Sequence, residues 1–219
     1  MVSTHYNFDV IIFDLDGTLV DSRVDLANSV NYTRTLLGLT PVPNELVYTY
    51  VGDGAFLLLQ RALGPGFGEA EVRQAVESFM EHYKQHLLDH TMLYPGVAEA
   101  LQQLEHPVLA VLTNKPVAPS ITILKGLGIL ERFRWVYGGD SFPEKKPHPA
   151  GILKILAETG IPPGRVLMVG DSRNDIMTGR NAGVLTCGVT YGLAPDQLTD
   201  PMPDFLINDM RKLPNLVAP

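Results

Sequence analysis

The sequence predicts an α/β fold: a parallel sheet with helices on both faces and a small all-helical insertion after the first strand. Three observations carry this. Residues 8–13 are β-branched and aromatic apart from Asp9, the pattern of a strand buried on both faces. From residue 94 onward, short apolar runs alternate with helical stretches, and such alternation implies parallel strands joined by crossover helices. Between the two, residues 18–92 carry helical periodicity and no convincing strand.

The first strand ends in Asp14-Leu15-Asp16-Gly17-Thr18, two carboxylates two positions apart followed by Gly and Thr. Asp21 or Ser22 can cap a helix running to about residue 37, with Leu26, Ala27, Val30 and Leu37 at helical spacing and Gly38 closing it. Pro41 and Pro43 punctuate the chain, and a short helical stretch leads to Val51-Gly52-Asp53-Gly54. A helix over 55–63 stops at Gly64-Pro65-Gly66. Next comes the clearest amphipathic helix, with Val72, Ala75, Val76, Phe79, Met80, Tyr83 and Leu87 on one face. Tyr94-Pro95-Gly96-Val97 starts a helix to residue 105. Strands follow at 107–112, 135–137, 166–169, 184–189 and 205–207, with helices reaching about residues 126, 159 and 182 between them. This division assigns residues 1–17 and 93–219 to a sheet core and residues 18–92 to a helical cap.

The chain has 219 residues, 45% hydrophobic and 19% charged, enough for a substantial core and unlike a disordered chain. A net charge of -7 and a pI near 5.3 argue against nucleic acid as a partner. An anionic substrate stays open, because a bound cation and a few lysines can dominate a pocket's field. The single cysteine, Cys187, rules out an intrachain disulfide framework and fits a reducing compartment. No leader pattern and no apolar run of membrane-spanning length is visible, so a cytoplasmic location with no membrane partner is expected. Asn31-Tyr32-Thr33 matches a glycosylation sequon by chance on that expectation. Nothing in the sequence indicates an oligomeric state.

In a sheet covered by helices, ligands bind just beyond the carboxyl ends of the strands. The expected strand ends bring Asp14 and Asp16, Thr113 and Asn114, Lys146, and Asp171 with Asp175 to one edge. Two close carboxylates repel each other, and a cation between them or a proton on one relieves this. Each group has a use on a phosphate ester. Asp14 can attack phosphorus and form an aspartyl phosphate, splitting one difficult displacement into two. Asp16 can protonate the leaving alcohol and later deprotonate the attacking water. Mg²⁺ takes octahedral oxygen ligands; Asp14 and Asp171 can supply carboxylates and Asp16 a backbone carbonyl. Asp175 is placed to orient that shell. Thr113 and Asn114 can hydrogen-bond the phosphoryl oxygens and Lys146 can neutralise their charge. Gly52, Asp53 and Gly54 are the expected reach of the cap into the pocket, with backbone amides available for a substrate carboxylate.

The set Asp14-Leu15-Asp16-Gly17-Thr18, Leu112-Thr113-Asn114, Lys146-Pro147 and Gly170-Asp171-Ser172-Arg173-Asn174-Asp175 resembles the haloacid-dehalogenase-like hydrolases, in the branch with a helical cap after the first motif. The resemblance covers nearly the whole chain and implies a Rossmann-like core, Mg²⁺ dependence and an Asp14 nucleophile. Val51-Gly52-Asp53-Gly54-Ala55, Tyr94-Pro95-Gly96-Val97, Leu112-Thr113-Asn114-Lys115-Pro116, Gly138-Gly139-Asp140 and Lys146-Pro147-His148-Pro149 are similar to the phosphoglycolate phosphatases within that branch. That implies a small phosphorylated metabolite as substrate, 2-phosphoglycolate first, with a sugar phosphate or a phosphomutase reaction as alternatives. Of the doubled lysine, Lys146 is chosen over Lys145 because it directly precedes the proline, as in the family pattern.

Other features read as structure. His82, His86 and His90 fall four apart on the long cap helix, but no cysteine or carboxylate set completes a metal site, so solvated cap residues are expected. Cys187 reads as a small core residue. No glycine-rich nucleotide loop is present.

Overall fold

The computed structural model describes residues 7–217. Residues 1–6 and 218–219, part of the assigned core and of the segment read for a leader, lie outside them. In chain order the elements are β1 (Val10–Phe13), β2 (Val20–Asp21), α1 (Arg23–Leu36), α2 (Asn44–Tyr48), α3 (Ala55–Leu63), α4 (Glu69–Gln85), β3 (Met92–Leu93), α5 (Val97–Gln103), β4 (Val108–Leu112), α6 (Val117–Gly126), β5 (Trp135–Tyr137), α7 (Ala150–Thr159), β6 (Val166–Gly170), α8 (Arg173–Ala182), β7 (Leu185–Val189) and β8 (Phe205–Ile207). Six of the strands form one parallel sheet in the order β5-β4-β1-β6-β7-β8.

Side chains of successive strand residues point to opposite faces, and the apolar runs bury both. Val10 and Ile12 pack with Ala110, Leu112, Val166 and Met168 against Ile152 and Ile155 of α7. Ile11 and Phe13 pack with Val111 and Val169 on the other face, against α5 and α6. All four residues of β1 are fully buried, so this strand reads as continuous rather than alternating hydrophobicity. It lies at the centre, paired with β4 on one side and β6 on the other, where the strand order reverses. The crevice beyond the carboxyl end of such a switch point is where open α/β sheets take ligands.

Helices α1 to α4 stand between β2 and β3, which pair antiparallel through Val20↔Leu93 and Asp21↔Met92. The reading of residues 18–92 as strandless therefore needs correction. Two-residue strands are too short for any periodicity to reveal. The return is pinned by Asp25 of α1, a carboxylate 1% exposed that accepts from the backbone N–H of His90 and Thr91 and from the Thr91 hydroxyl. Leu26 and Val30 of α1, Leu58 and Leu59 of α3, and Val72, Ala75, Phe79 and Tyr83 of α4 bury one another in a core continuous with one face of the sheet.

The histidines also depart from expectation. Helix α4 ends at Gln85 with His86 at its C-cap, so His90 lies beyond it and the three do not share a helix face. His82 Nδ1 lies 3.0 Å from Ser29 Oγ, His86 Nδ1 2.7 Å from Asp89, and His90 Nδ1 2.9 Å from Asp25. Each ring has its own partner, and His82 and His86 stack. Asn31 is likewise engaged: its side chain exchanges hydrogen bonds with the Val42 backbone and donates to Asn44. Cys187 is buried in β7. Among the described residues no helix is long and apolar enough to cross a membrane.

Candidate active site

The ends of β1, β4 and β6 place the expected residues in one crevice. Asp14 prolongs the β1 ladder by donating its backbone N–H to Val169 O at 2.9 Å, and Thr113 prolongs β4 by donating to Tyr137 O at 3.0 Å. Their side chains therefore leave a rigid sheet, the kind of support that holds functional geometry. Asp171 follows β6, and Asp175 lies in the first turn of α8.

At the centre is Lys146, whose ammonium lies 2.7 Å from Asp14 Oδ1 and 2.6 Å from Asp175 Oδ1. Its side chain is 3% exposed. Burial alone would lower its pKa, but Asp14 and Asp175 outweigh that and hold it above the ordinary lysine value, so it is charged. Lys145, by contrast, is exposed, with its ammonium near Gly54 at the mouth of the crevice. Asp175 is fully buried and committed: Oδ1 to Lys146, Oδ2 to the backbone N–H and hydroxyl of Ser172 at 3.0 and 2.7 Å.

Carboxylate oxygens of Asp14, Asp171 and Asp175 lie within 4.8 Å of one another. One ammonium faces three carboxylates, and the imbalance is visible in the acids. Burial pushes Asp14 up to about 7 against the pull of Lys146, with Asp175 and Asp16 adding to the rise. Burial, then the Asp175 and Asp14 charges, drive Asp171 well above its usual range. Asp14 Oδ1 is buried and makes no hydrogen bond of proper geometry, although Lys146 is close. Hard oxygen donors and excess negative charge together suit a divalent cation such as Mg²⁺.

Close approach of backbone shapes this cluster. Gly17 has φ +85°, and a Cβ there would lie 2.2 Å from Asp171 Oδ2. Gly192 approaches from the other side, where a Cβ would fall 2.3 Å from Asp171 Cβ. The loop after Gly192 supplies the N–H groups of Leu193 and Ala194 to Asp171 Oδ2 at 2.7 and 3.3 Å. One carboxylate oxygen is thereby fixed.

Asp16 sits across the crevice with both oxygens engaged. Ser22 Oγ donates to Oδ1, and Lys115 Nζ lies 3.2 Å from Oδ2. Of Asp21 and Ser22, either of which could cap α1, Asp21 accepts from Arg23 N–H at 3.3 Å, whereas the Ser22 hydroxyl makes no capping bond and turns to Asp16 instead. Lys115 in turn donates to Tyr83 Oη of α4 at 2.7 Å.

Asn114 is tied to backbone on both sides: Nδ2 donates to Gly52 O at 2.9 Å and Lys146 O at 3.2 Å, and Oδ1 accepts from Lys146 N. The Thr113 hydroxyl accepts from Lys115 N. A chamber partly open to solvent runs from Asp14 and Asp16 past Thr113, Asn114 and Lys115 to Gly52, Gly54 and Ala55. Its remaining wall is apolar, with Leu58, Phe79 and Met80 from the helical segment. Gly52 and Gly54 thus line the chamber. Asp53 turns aside, pairing with Arg61 at 2.5 Å and accepting from Asn174 at 2.7 Å.

Sequence reasoning passed over Lys115, Tyr83, Ser22 and the 192–194 loop as site components. Lys115 had a signal, since it follows Thr113 and Asn114 at the same strand end. The loop had none, because it contributes only backbone N–H groups.

Comparison with known proteins identifies the family. A family model described as haloacid dehalogenase-like hydrolase matches residues 11–189. A phosphoglycolate phosphatase of Haemophilus influenzae strain 86-028NP is 41% identical over 216 residues, covering 94% of this chain and 96% of that one. A phosphoglycolate phosphatase of Pseudomonas fluorescens strain Pf0-1 is 39% identical over 213 residues, covering 93% and 78%. A crystal structure from Haemophilus somnus 129PT, described as a predicted phosphoglycolate phosphatase, superposes with a TM-score of 0.90 at 36% identity, covering 96% of this chain and 98% of that one. With the switch-point sheet, the strand-end carboxylates and these relatives together, the chain belongs to the haloacid dehalogenase-like hydrolases.

Proposed function

We propose that this phosphoric monoester hydrolase acts on a small phosphorylated acid, 2-phosphoglycolate first, releasing glycolate and inorganic phosphate. The observation that carries the reading is the buried Asp14–Lys146–Asp175–Asp171 cluster at the switch point, of which Asp14 lines a small chamber. The relatives' activity adds the substrate. At the far end of the chamber, Gly54 precedes α3, whose N-terminal amides and positive dipole end suit a carboxylate. Helices of residues 18–92 then act as a cap that closes over the ester and excludes bulk water.

Asp14 attacks phosphorus as the ester oxygen departs, giving an aspartyl phosphate. Asp16 gives its proton to that oxygen, then takes one from the water that attacks the aspartyl phosphate. Phosphate leaves and Asp14 is restored. Lys146 and Thr113 balance and orient the phosphoryl oxygens, while Asn114 holds the 52–54 loop and Lys146 backbone in register. The Asp14 and Asp171 carboxylates with the Asp16 carbonyl would hold Mg²⁺, which when bound would supply charge stabilisation for the phosphoryl group.

Phosphate release from a panel of 2-phosphoglycolate and sugar phosphates, with Mg²⁺ or a chelator, tests this. The expected result is Mg²⁺-dependent turnover with 2-phosphoglycolate highest in kcat/KM. Turnover of sugar phosphates alone overturns the substrate, and undiminished turnover by Asp14→Asn overturns the mechanism.

A further inference from the structure

We propose that Lys115, seated by Tyr83, is a positioning residue that fixes the Asp16 carboxylate and ties it to cap helix α4. The proposal rests on the reading of Asp16 as the group that moves protons. Lys115 leaves the end of β4 and its side chain is 5% exposed. Its ammonium reaches two partners from different parts of the chain: Asp16 Oδ2 at 3.2 Å, and Tyr83 Oη at 2.7 Å. The ammonium also lies 4.6 Å from the centroid of the Tyr83 ring, itself stacked on Phe79.

A buried lysine costs desolvation, and that cost is borne only where partners satisfy it. Neither partner is Asp14, whose carboxylate is paired with the separate ammonium of Lys146. What Lys115 does in this place is hold an acid. With Ser22 on Oδ1 and Lys115 on Oδ2, Asp16 is fixed at both ends of its carboxylate. Ser22 belongs to the start of α1, Lys115 to the sheet and Tyr83 to α4, so the acid's orientation depends on the seating of the helical segment against the sheet. Proton transfer demands placement within hydrogen-bond reach of the ester oxygen, and an error of about 1 Å costs on the order of 10²-fold in rate.

The step in question forms the bond from an Asp14 oxygen to phosphorus, breaks the ester P–O bond and moves a proton from Asp16 to the departing oxygen. A nitrophenolate leaves without that proton; an alkoxide needs it. Lys115→Met and Tyr83→Phe are therefore compared with wild type on p-nitrophenyl phosphate and on 2-phosphoglycolate. The parameter kcat/KM reports events through departure of the alcohol. Expected are losses on the order of 10²-fold for Lys115→Met and several-fold for Tyr83→Phe with 2-phosphoglycolate, against changes within about 3-fold with the nitrophenyl ester. Melting temperatures accompany each measurement. Equal losses on both esters, from misfolding or weakened phosphate binding, overturn the proposal, as does an unchanged kcat/KM for Tyr83→Phe together with Lys115→Met. Asp16→Asn separates the two levels of the argument. If it lacks the split between esters, the role of Asp16 fails. If it shows the split and the Lys115 and Tyr83 variants do not, only their role fails.

Discussion

Asp14→Asn should abolish turnover and, in the absence of divalent metal, stabilise the protein. Burial raises Asp14 from 3.8 to about 7 in the folded state. A rise of roughly three pK units, at about 1.4 kcal/mol each, means that ionised Asp14 opposes folding by about 4 kcal/mol above pH 7. The sign follows from proton binding. Between pH 3.8 and about 7 the folded chain holds a proton that the unfolded chain has lost, so stability falls as pH rises through this window and is flat beyond it. Asn mimics the protonated acid and removes that penalty. The 4 kcal/mol is a ceiling, because Asp171 shares the same repulsion and relieves part of it by holding a proton. Even half, about 2 kcal/mol, raises Tm by about 4–8 °C in a chain of this size. The assay is thermal unfolding in chelator at pH 5 and pH 8. The variant should melt higher at both, by a smaller margin at pH 5, where roughly 40% of the penalty has developed, than at pH 8, where all of it has. Added Mg²⁺ should close the gap by stabilising wild type more. A variant that melts below wild type at pH 8, or a gap independent of pH, refutes the account of this cluster as charge held against a cation.

Gly17→Ala should leave the chain folded but lower kcat/KM by on the order of 10²-fold and weaken Mg²⁺ activation, read by titrating Mg²⁺ against phosphate release; the positive φ costs about 1–2 kcal/mol and the new methyl displaces Asp171 from its loop N–H donors. Asp53→Ala should raise KM several-fold while shifting stability by less than about 1 kcal/mol, since its pair with Arg61 is 40% and 31% exposed and of little worth to the fold, yet it braces the loop that carries Gly52 and Gly54. Steady-state kinetics beside urea unfolding check that contrast, and a stability loss without a KM change counts against it.

What could be read from the sequence follows a physical rule. Asp14, Thr113 and Asp171 each follow a short β-branched apolar run bounded by turn residues, a pattern that reads as a buried strand, so its terminus is located by local pattern. The parallel order followed from alternation for the same reason. Ser22 shows where local reasoning stops. Next to the start of α1 it looks like a cap, but its hydroxyl donates to Asp16, six positions back, and makes no capping bond. Lys115 and Tyr83, Asn114 and Gly52, and Asn174 and Asp53 meet across 32, 62 and 121 positions. No spacing rule reaches that far. Those three long-range contacts share a property: each joins the helical segment to a residue in or next to a strand-end motif. The chemical groups are thus encoded locally in the strands, whereas their alignment is encoded in how α3, α4 and the 51–54 loop sit on the sheet. On that division, substitutions in the motifs should act on the chemical step, and substitutions in the contacts should act through placement of groups that remain chemically intact.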